Sequence, residues 1–242
     1  MIRFNDFLIF RLLFCYKKEM KKLIIYSVLF VCGVVVYAQL KPKDIFSQNE
    51  VVWYGLDFSK SKFIGSFENL KGTVPISAEE LIMSYIPAWN NLIVSEPLNF
   101  DIENTFWKKS VYYDLKSVES INSKIPRENL ITLNSHVISK TELSEMVALY
   151  KKGDKKEGLG LSFIIERFDK PRLEASLWVV FFDIESKKVL LSKHCTGEPF
   201  GFGIRNYWAG SIKHIMNDIR FRKFQKWSRE TTNETDAVAI AK

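Results

Sequence analysis

Two glycines near the C-terminus, Gly201 and Gly203, stand one residue apart just before a predicted helix. Glycines in this position let the backbone approach a phosphate, and the free N–H groups of a helix N-terminus attract anions. A dinucleotide site also needs a third glycine, a parallel strand before the glycines and an acid about 20 residues further on. The strand here belongs to an apparent hairpin and no such acid follows, so a turn that reverses a strand into a helix is the favoured interpretation.

Cations and aromatic rings alternate from Arg220 to Trp227 in the sequence RFRKFQKW. This pattern fits a helix that lies on an anionic membrane surface or on an acidic partner. It equally fits an amphipathic helix that is docked by its rings and keeps its cations in water, and we favour this simpler interpretation. The turn and the helix together form the predicted binding surface, whose residues are Gly201, Gly203, Arg205, Asn206, Tyr207, Trp208, Arg220 and Arg222.

The nucleophiles and metal-ligating residues of the chain are sparse. His136, His194 and His214 have no partner at the spacing that a metal site requires. His194 and Cys195 are adjacent in a predicted strand, so their side chains point to opposite faces. A lone cysteine in an apolar strand is more often a small core residue than a nucleophile. We therefore expect no metal and no cofactor.

Acidic residues at the ends of predicted strands leave one enzymatic alternative open. Asp57, Asp183 and Glu185 occupy such positions, where they can act as acid and base in a secreted hydrolase-like enzyme. They are equally the residues that turns use, because Asp and Ser hydrogen-bond the local backbone.

The segment 20–38 has the layout of a secretory signal peptide: two lysines, an apolar run and small residues before Gln39. The apolar stretch Leu23–Ala38 spans about 24 Å as a helix, which is short of the roughly 30 Å core of a bilayer. Cleavage after Ala38 is thus predicted, and the protein is expected to be periplasmic or associated with the outer membrane. An uncleaved anchor on an envelope subunit is the alternative. Residues 1–19 are a doubtful extension, with Met20 as the simplest true start.

Removal of the presequence changes the charge argument. The chain carries a net charge of +7, of which residues 1–38 hold +4, so the remainder carries +3. A near-neutral domain with a basic C-terminal helix gives little reason to expect nucleic-acid binding.

The pattern after the presequence predicts a linker at 39–50, one domain at 51–227 and a flexible tail at 228–242. Val51–Ser59 favours a strand, and Ser77 and Ser139 open helices as N-caps, each with a glutamate three residues later. Three further strands are predicted with short connections, which make antiparallel neighbours, at 159–168, 173–184 and 188–196. A last helix, capped by Asn206, is predicted to run to about Trp227. The predicted fold is α+β: a single domain in which an antiparallel sheet of about four strands is packed against helices.

The segment FFDIESKKVLLSKHCTGEPFGFGIRNYW, at 181–208, resembles the end of a family of uncharacterised secreted and periplasmic proteins of Gram-negative bacteria. The resemblance extends over roughly 159–219. It implies a fold and a compartment outside the cytoplasm, and it implies no activity. The resulting hypothesis is an exported cell-envelope protein that works by non-catalytic binding or assembly, with an envelope protein or an anionic surface as its partner.

Overall fold

A computed structural model describes residues 39–68 and 74–240, with the backbone alone for 235–240. The predictions for 1–38 therefore lie outside the described residues. The strands are β1 (Glu50–Asp57), β2 (Lys62–Ile64), β3 (Ser110–Tyr113), β4 (Ile131–Thr132), β5 (Leu159–Asp169), β6 (Glu174–Asp183) and β7 (Val189–Gly197). The helices are α1 (Ala78–Glu80), α2 (Ile86–Ser95), α3 (Ile102–Thr105), α4 (Lys116–Asn122), α5 (Lys140–Ala148), α6 (Gly203–Asp218) and α7 (Phe224–Ile240), with a 3-10 helix at Pro42–Phe46 and π-helical turns at Leu81–Tyr85 and Ile219–Lys223.

The long strand β5 organises the sheet. On one edge it pairs in parallel with β1 and, further along, with β2, so that β1 and β2 lie end to end. β3 and β4 extend this side, again in parallel. On its other edge β5 pairs with β6, and β6 with β7, both antiparallel.

The predicted antiparallel sheet of about four strands is therefore wrong. The described residues form a seven-stranded sheet in which five strands, β1 to β5, are parallel, with helices around it in the manner of α/β proteins. The predicted antiparallel hairpins β5–β6–β7 are confirmed. Their short connections favour such hairpins, which is why the sequence could predict them. The parallel pairs join segments that are far apart in the chain, and short connections carry no information about them.

Each face of the sheet is covered by a different set of helices. The larger hydrophobic core lies on one face, which we call the aromatic face, beneath α2, α6 and α7. The smaller core lies on the other face, which we call the polar face, beneath α4 and α5. Along β6, Leu177, Val179 and Phe181 point to the aromatic face, while Val180 and Phe182 point to the polar face, as the two-residue period of a strand requires.

Two β-bulges interrupt the strands that carry the buried acids. The register of β1 shifts between Trp53 and Gly55, which has a φ of +111° that glycine adopts without strain. The shift places Leu56 on the aromatic face and Asp57 on the polar face. In β5 the register shifts between Ile165 and Arg167, so Glu166 is the extra residue.

Two buried asparagines complete the hydrogen bonds of the chain just after the point where β1 leaves β3. Asn90 of α2 accepts the Leu56 N–H at 2.7 Å and donates to the Leu56 carbonyl at 3.0 Å. Asn122 of α4 accepts the Phe58 N–H at 2.8 Å and donates to the same carbonyl at 2.8 Å. Because buried backbone groups need partners, these side chains stand in for a strand at this position.

The two helices predicted from serine caps begin as expected. Ser77 accepts the Glu80 N–H, and Ser139 forms a reciprocal capping box with Glu142. A π-helical turn at Leu81–Tyr85 directly precedes α2, which has Pro87 in its first turn, and proline cannot donate to the preceding turn.

The two ends of the domain differ from the prediction. Within 39–50, Ile45 is fully buried and packs into the larger core, so this segment is docked on the domain rather than extended as a linker. The last helix begins at Gly203 with Phe202 as its N-cap residue, and Asn206 lies inside it. Helical structure continues past Trp227 to Ile240.

Candidate functional site

The turn between β7 and α6 places two aromatic side chains in solvent. Phe200 is 50% exposed and Phe202 is 83% exposed. The flanking Gly201 and Gly203 have φ values of +122° and +77°, a region that favours glycine. The turn also packs closely on α6, because a Cβ on Gly210 would lie 2.0 Å from the Phe200 carbonyl oxygen.

Beside this turn lies a cleft of about 250 Å³, which we call the aromatic cleft. Its lining is mostly apolar, and one ion pair crosses it, Lys170 Nζ to a Glu68 carboxylate oxygen at 3.5 Å. The lining residues are Phe67, Glu68, Lys170, Phe202, Gly203, Ile204, Tyr207 and Trp208.

The floor of the aromatic cleft is rigidly supported. The Trp208 ring stacks on Phe168 with 4.6 Å between ring centroids and 5° between planes. Trp89 donates its Nε1–H to the Arg205 carbonyl at 2.8 Å, which ties α2 to the first turn of α6. The floor is thus part of the core, while the mouth, at Phe202, is open to water.

The structure separates the predicted binding residues into two groups. Gly203, Tyr207 and Trp208 line the aromatic cleft, and Gly201 shapes the turn beside it. Trp208 is only 2% exposed, so it supports the cleft from below. Arg205 and Asn206 are exposed on α6, and the Arg205 guanidinium donates to the Asn206 amide oxygen at 3.1 Å.

The basic residues Arg220 and Arg222 lie far from the turn. Arg220 lies 17 positions after Gly203 along helical backbone, a distance of about 25 Å at 1.5 Å per residue. Arg220 lies 3.9 Å from an Asp101 carboxylate oxygen, and Arg222 donates to Asp218. The turn and the basic helix therefore do not form one site.

Other cations of the basic helix also have acidic partners on the same chain. Lys223 contacts Asp218 at 2.6 Å, and Lys226 lies 3.8 Å from Glu230. Glu230 also receives Lys193 of β7 at 2.8 Å. These pairs neutralise much of the local charge that the sequence pattern suggested was available to an anionic surface.

The acids considered for catalysis do not converge. Asp57 is fully buried, and Asp183 accepts the Ser186 N–H at 2.7 Å in the β6–β7 turn. Glu185 is exposed in the same turn. Cys195 is buried in the larger core, and burial raises the pKa of its thiol to about 11.

The most connected polar group, Glu166, was missed by the sequence analysis. It is 2% exposed and accepts hydrogen bonds from the Ile138 N–H at 2.8 Å and from Ser176 Oγ at 2.6 Å. His194 Nε2 lies 2.9 Å from its carboxylate, and Arg167 contacts it at 2.6 Å. Burial by itself would raise the pKa of Glu166, but hydrogen bonds from His194, Ser176 and Ile138 outweigh it and hold the pKa at about 2.

The structure confirms that His194 and Cys195 point to opposite faces. His194 joins Glu166 on the polar face, while Cys195 joins the larger core. The sequence did contain a signal for the polar group around Glu166. Glu166 and Arg167 stand within the apolar strand 159–169, and charged residues in a central strand require partners.

Among the described residues, the hydrogen-bond partners of a second buried carboxyl, Asp57, are neutral groups. Tyr150 donates to it at 2.7 Å, and the Ser59 N–H donates at 2.8 Å. The Tyr150 hydroxyl also lies 3.2 Å from Ser162 Oγ, which donates to the Gly55 carbonyl. Burial raises the pKa of Asp57 and, together with the nearby carboxyl, raises that of Tyr150 well above its ordinary value.

Phe67, Lys170 and Phe202 line the aromatic cleft and were also absent from the predicted site. Phe67 and Lys170 come from distant segments that only the folded sheet brings to the turn. The exposure of Phe202 could have been predicted from the sequence, because a phenylalanine between two turn glycines cannot join the buried stripe of a helix.

Across 39–68 and 74–240, no group of three or more His, Cys, Asp and Glu side chains is arranged to hold a metal ion. In the same ranges, no helix has both the length and the apolar character needed to cross a membrane. Comparison with protein families, with curated proteins and with solved structures finds no match to this chain.

Proposed function

We propose that this chain is an exported cell-envelope protein that acts without catalysis, by binding a partner protein at the aromatic cleft. The observation that carries this proposal is the exposure of Phe202, 83% accessible, at the mouth of a mostly apolar cleft with a rigid floor. Exposed aromatic side chains next to a preformed apolar pocket are typical of the anchors that dominate protein interfaces.

The size of the aromatic cleft favours a protein partner. Its volume of about 250 Å³ is below the roughly 300–1,000 Å³ of common small-molecule sites. A cleft of this size fits an apolar side chain of a partner, while Phe200 and Phe202 cover the surrounding surface. The Lys170–Glu68 pair offers one charge of each sign for orientation.

An anionic surface is the less favoured partner. Binding to such a surface draws on unpaired cations. On the basic helix, Arg222 and Lys223 share Asp218, and Lys226 has Glu230. The exposed rings of the turn lie about 25 Å away, at the N-terminal end of α6.

The buried acids support the non-catalytic part of the proposal. Glu166 and Asp57 are 2% and 0% exposed, so neither reaches a substrate in solution. Their donors come from the sheet and from the elements that cover it, which is the arrangement of buried groups that fix a fold.

The export part of the proposal rests on the sequence of residues 20–38. Its test is the intact mass of the protein isolated from its native host. A mass that begins at Gln39 supports export with cleavage after Ala38. A mass that includes the apolar segment contradicts cleavage and supports the anchored alternative.

Site-specific photo-crosslinking tests the binding site. Phe202 is replaced with p-benzoylphenylalanine in the native host, and Phe221, 73% exposed on the basic helix, is replaced in a matched control. We expect ultraviolet light to give a discrete adduct with one envelope protein from position 202 and none from position 221. Tyr207→Ala, which changes the wall of the cleft, is expected to abolish the adduct.

Adducts that are the same from both positions would contradict the proposal. An adduct that persists unchanged in Tyr207→Ala would show that the cleft is not the contact. Absence of any adduct at position 202 also counts against a partner at this surface. Circular dichroism of the Tyr207→Ala protein serves as the control for folding.

A further inference from the structure

Two adjoining clefts lie beyond the carboxyl end of β1, and we treat them as one feature, the lysine groove. One has a volume of about 350 Å³ and the other about 300 Å³, and both are lined by Ser59, Ile125 and Pro126. The segments that follow β3 and β4 also contribute to the lining, through Ser117 and His136. Ligands of open α/β sheets bind outside the carboxyl ends of parallel strands, which is where the lysine groove lies.

The charge of the lysine groove is predominantly positive. Lys60, Lys62, Lys124 and Lys151 line it, against one acid, Glu128. Lys60 is paired with Glu142 at 3.1 Å and with Glu145 at 3.6 Å, and Lys62 donates to the Asn129 carbonyl at 2.7 Å.

Lys124 and Lys151 differ from the other two lysines. Both are exposed, both line the larger cleft, and their ammonium groups have no hydrogen-bond or ion-pair partner among the residues that the structure describes. Two unpaired cations on one cleft attract an anion more strongly than either does alone.

The rest of the larger cleft is a mixture of apolar surface and hydroxyl groups. Ile121, Ile125 and Leu149 supply apolar contacts, and Ser59 and Ser120 supply hydroxyls. A bare inorganic anion would leave this apolar surface uncovered. An anion that carries a ring or another apolar body covers it.

The turn beneath the lysine groove is held in a fixed conformation. Ser59 donates its N–H to Asp57 at 2.8 Å, and the Phe58 N–H is bound by Asn122 at 2.8 Å. Ser61 donates from both its N–H, at 3.0 Å, and its hydroxyl, at 2.8 Å, to the Phe58 carbonyl. A turn that is fixed before the ligand arrives costs less entropy on binding.

We infer that the lysine groove binds a small organic anion, a phosphate monoester or a carboxylate with an apolar body, with its charged group between Lys124 and Lys151. The site goes beyond the proposed function, because it shares no lining residue with the aromatic cleft. Its failure would therefore leave the partner site untouched.

Titration of the purified protein with phenyl phosphate, followed by isothermal calorimetry and by amide chemical shifts, tests this inference. We expect saturable binding with shifts at residues 59–62, 117–126 and 151. Inorganic phosphate and phenol, which each carry half of the probe, are expected to bind at least about 10-fold more weakly. Benzoate in place of phenyl phosphate distinguishes a carboxylate ligand from a phosphate ligand.

The variant Lys124→Gln/Lys151→Gln is expected to raise the Kd for phenyl phosphate by about 10-fold or more, because two charge-assisted contacts are lost. The control Lys109→Gln/Lys188→Gln removes the same charge from exposed positions outside the groove and is expected to change the Kd less than about 2-fold. Equal losses in the two variants, shifts centred elsewhere or no saturable binding of either anion would overturn the inference. Phe202→Ala is expected to leave this binding unchanged.

Discussion

On the aromatic face the sheet is covered by stacked rings such as Trp208 and Phe168, whereas on the polar face it encloses two buried carboxyls, Asp57 and Glu166. The first kind of contact is insensitive to pH and depends on shape. The second depends on which donors surround each acid. Glu166 has a guanidinium and an imidazole beside it, while Asp57 has a phenol and a backbone N–H. Burial raises the pKa of Asp57, whereas at Glu166 the hydrogen bonds outweigh burial and lower the pKa.

The two faces of the sheet support two different surfaces of the protein. The aromatic face extends its packing outward to the turn at Phe200 and Phe202, where rings reach solvent. The polar face uses Asp57 to fix the turn that underlies the lysine groove. Substitutions on the two faces should therefore differ in size and in pH dependence.

The largest effect is expected on the aromatic face. Trp208→Ala removes a buried ring stacked on Phe168 and should lower the free energy of unfolding by about 3–5 kcal/mol. Phe221→Ala, on the exposed side of the basic helix, is the matched control and should change it by less than about 0.5 kcal/mol. Urea denaturation measures both. A loss under about 1 kcal/mol for Trp208→Ala would contradict the large contribution assigned to the aromatic face.

The second effect concerns the charged centre of the polar face. Glu166→Gln keeps the shape but removes the charge that faces Arg167 and His194, and it should lower the free energy of unfolding by about 2–3 kcal/mol. Glu174→Gln, which removes a more exposed partner of the same arginine, should cost less than about 1 kcal/mol. Equal losses in the two variants would mean that burial of Glu166 is unimportant.

The pH dependence of stability gives a second test of the role of Glu166. Because the pKa of Glu166 falls from an ordinary 4.5 to about 2 in the fold, its contribution is complete above pH 4.5 and is lost as the pH falls toward 2. Urea midpoints should be measured from about pH 5 to about pH 2. Over this range they should fall less steeply in Glu166→Gln than in the wild type. Parallel slopes in the two proteins would contradict this assignment.

The smallest effect is expected at Asp57, and its sign is opposite. A raised pKa means that the contribution of Asp57 is complete below its ordinary value of 3.8 and is lost as the pH rises through the folded value. Asp57→Asn should therefore leave the free energy of unfolding at pH 7 unchanged or higher, within about 1 kcal/mol. A loss of about 2 kcal/mol or more would show that the carboxylate itself stabilises the fold.

The sequence predicted the local parts of this fold and missed the long-range ones. The hairpins β5–β6–β7 and the capping box at Ser139 depend on neighbouring residues, and both are present. The pairing of Val52 with Gly160 joins distant segments, and no local pattern specifies it. The bulge at Gly55 reverses the alternation of β1, so Asp57 could not be assigned to a face from the two-residue period.

The candidate site was predicted in part for the same reason. Gly203, Tyr207 and Trp208 are contiguous enough to be recognised as one signature, and they do line the aromatic cleft. Phe67 and Lys170 reach it only through the pairing of β2 with β5. Arg220 follows Gly203 by only 17 residues in the sequence, but the helical conformation of these residues holds it about 25 Å from the turn.

The assignment of function to the aromatic cleft is tested by the affinity between the purified chain and the protein crosslinked at position 202. If Phe202 is the anchor of the interface, Phe202→Ser should raise the Kd by about 30-fold or more, as an aromatic hot spot of at least about 2 kcal/mol requires. Phe221 is also an exposed phenylalanine, 73% accessible against 83% for Phe202. Phe221→Ser should change the Kd less than about 2-fold. Equal affinity of the two variants for the partner would contradict the assignment of function to the aromatic cleft.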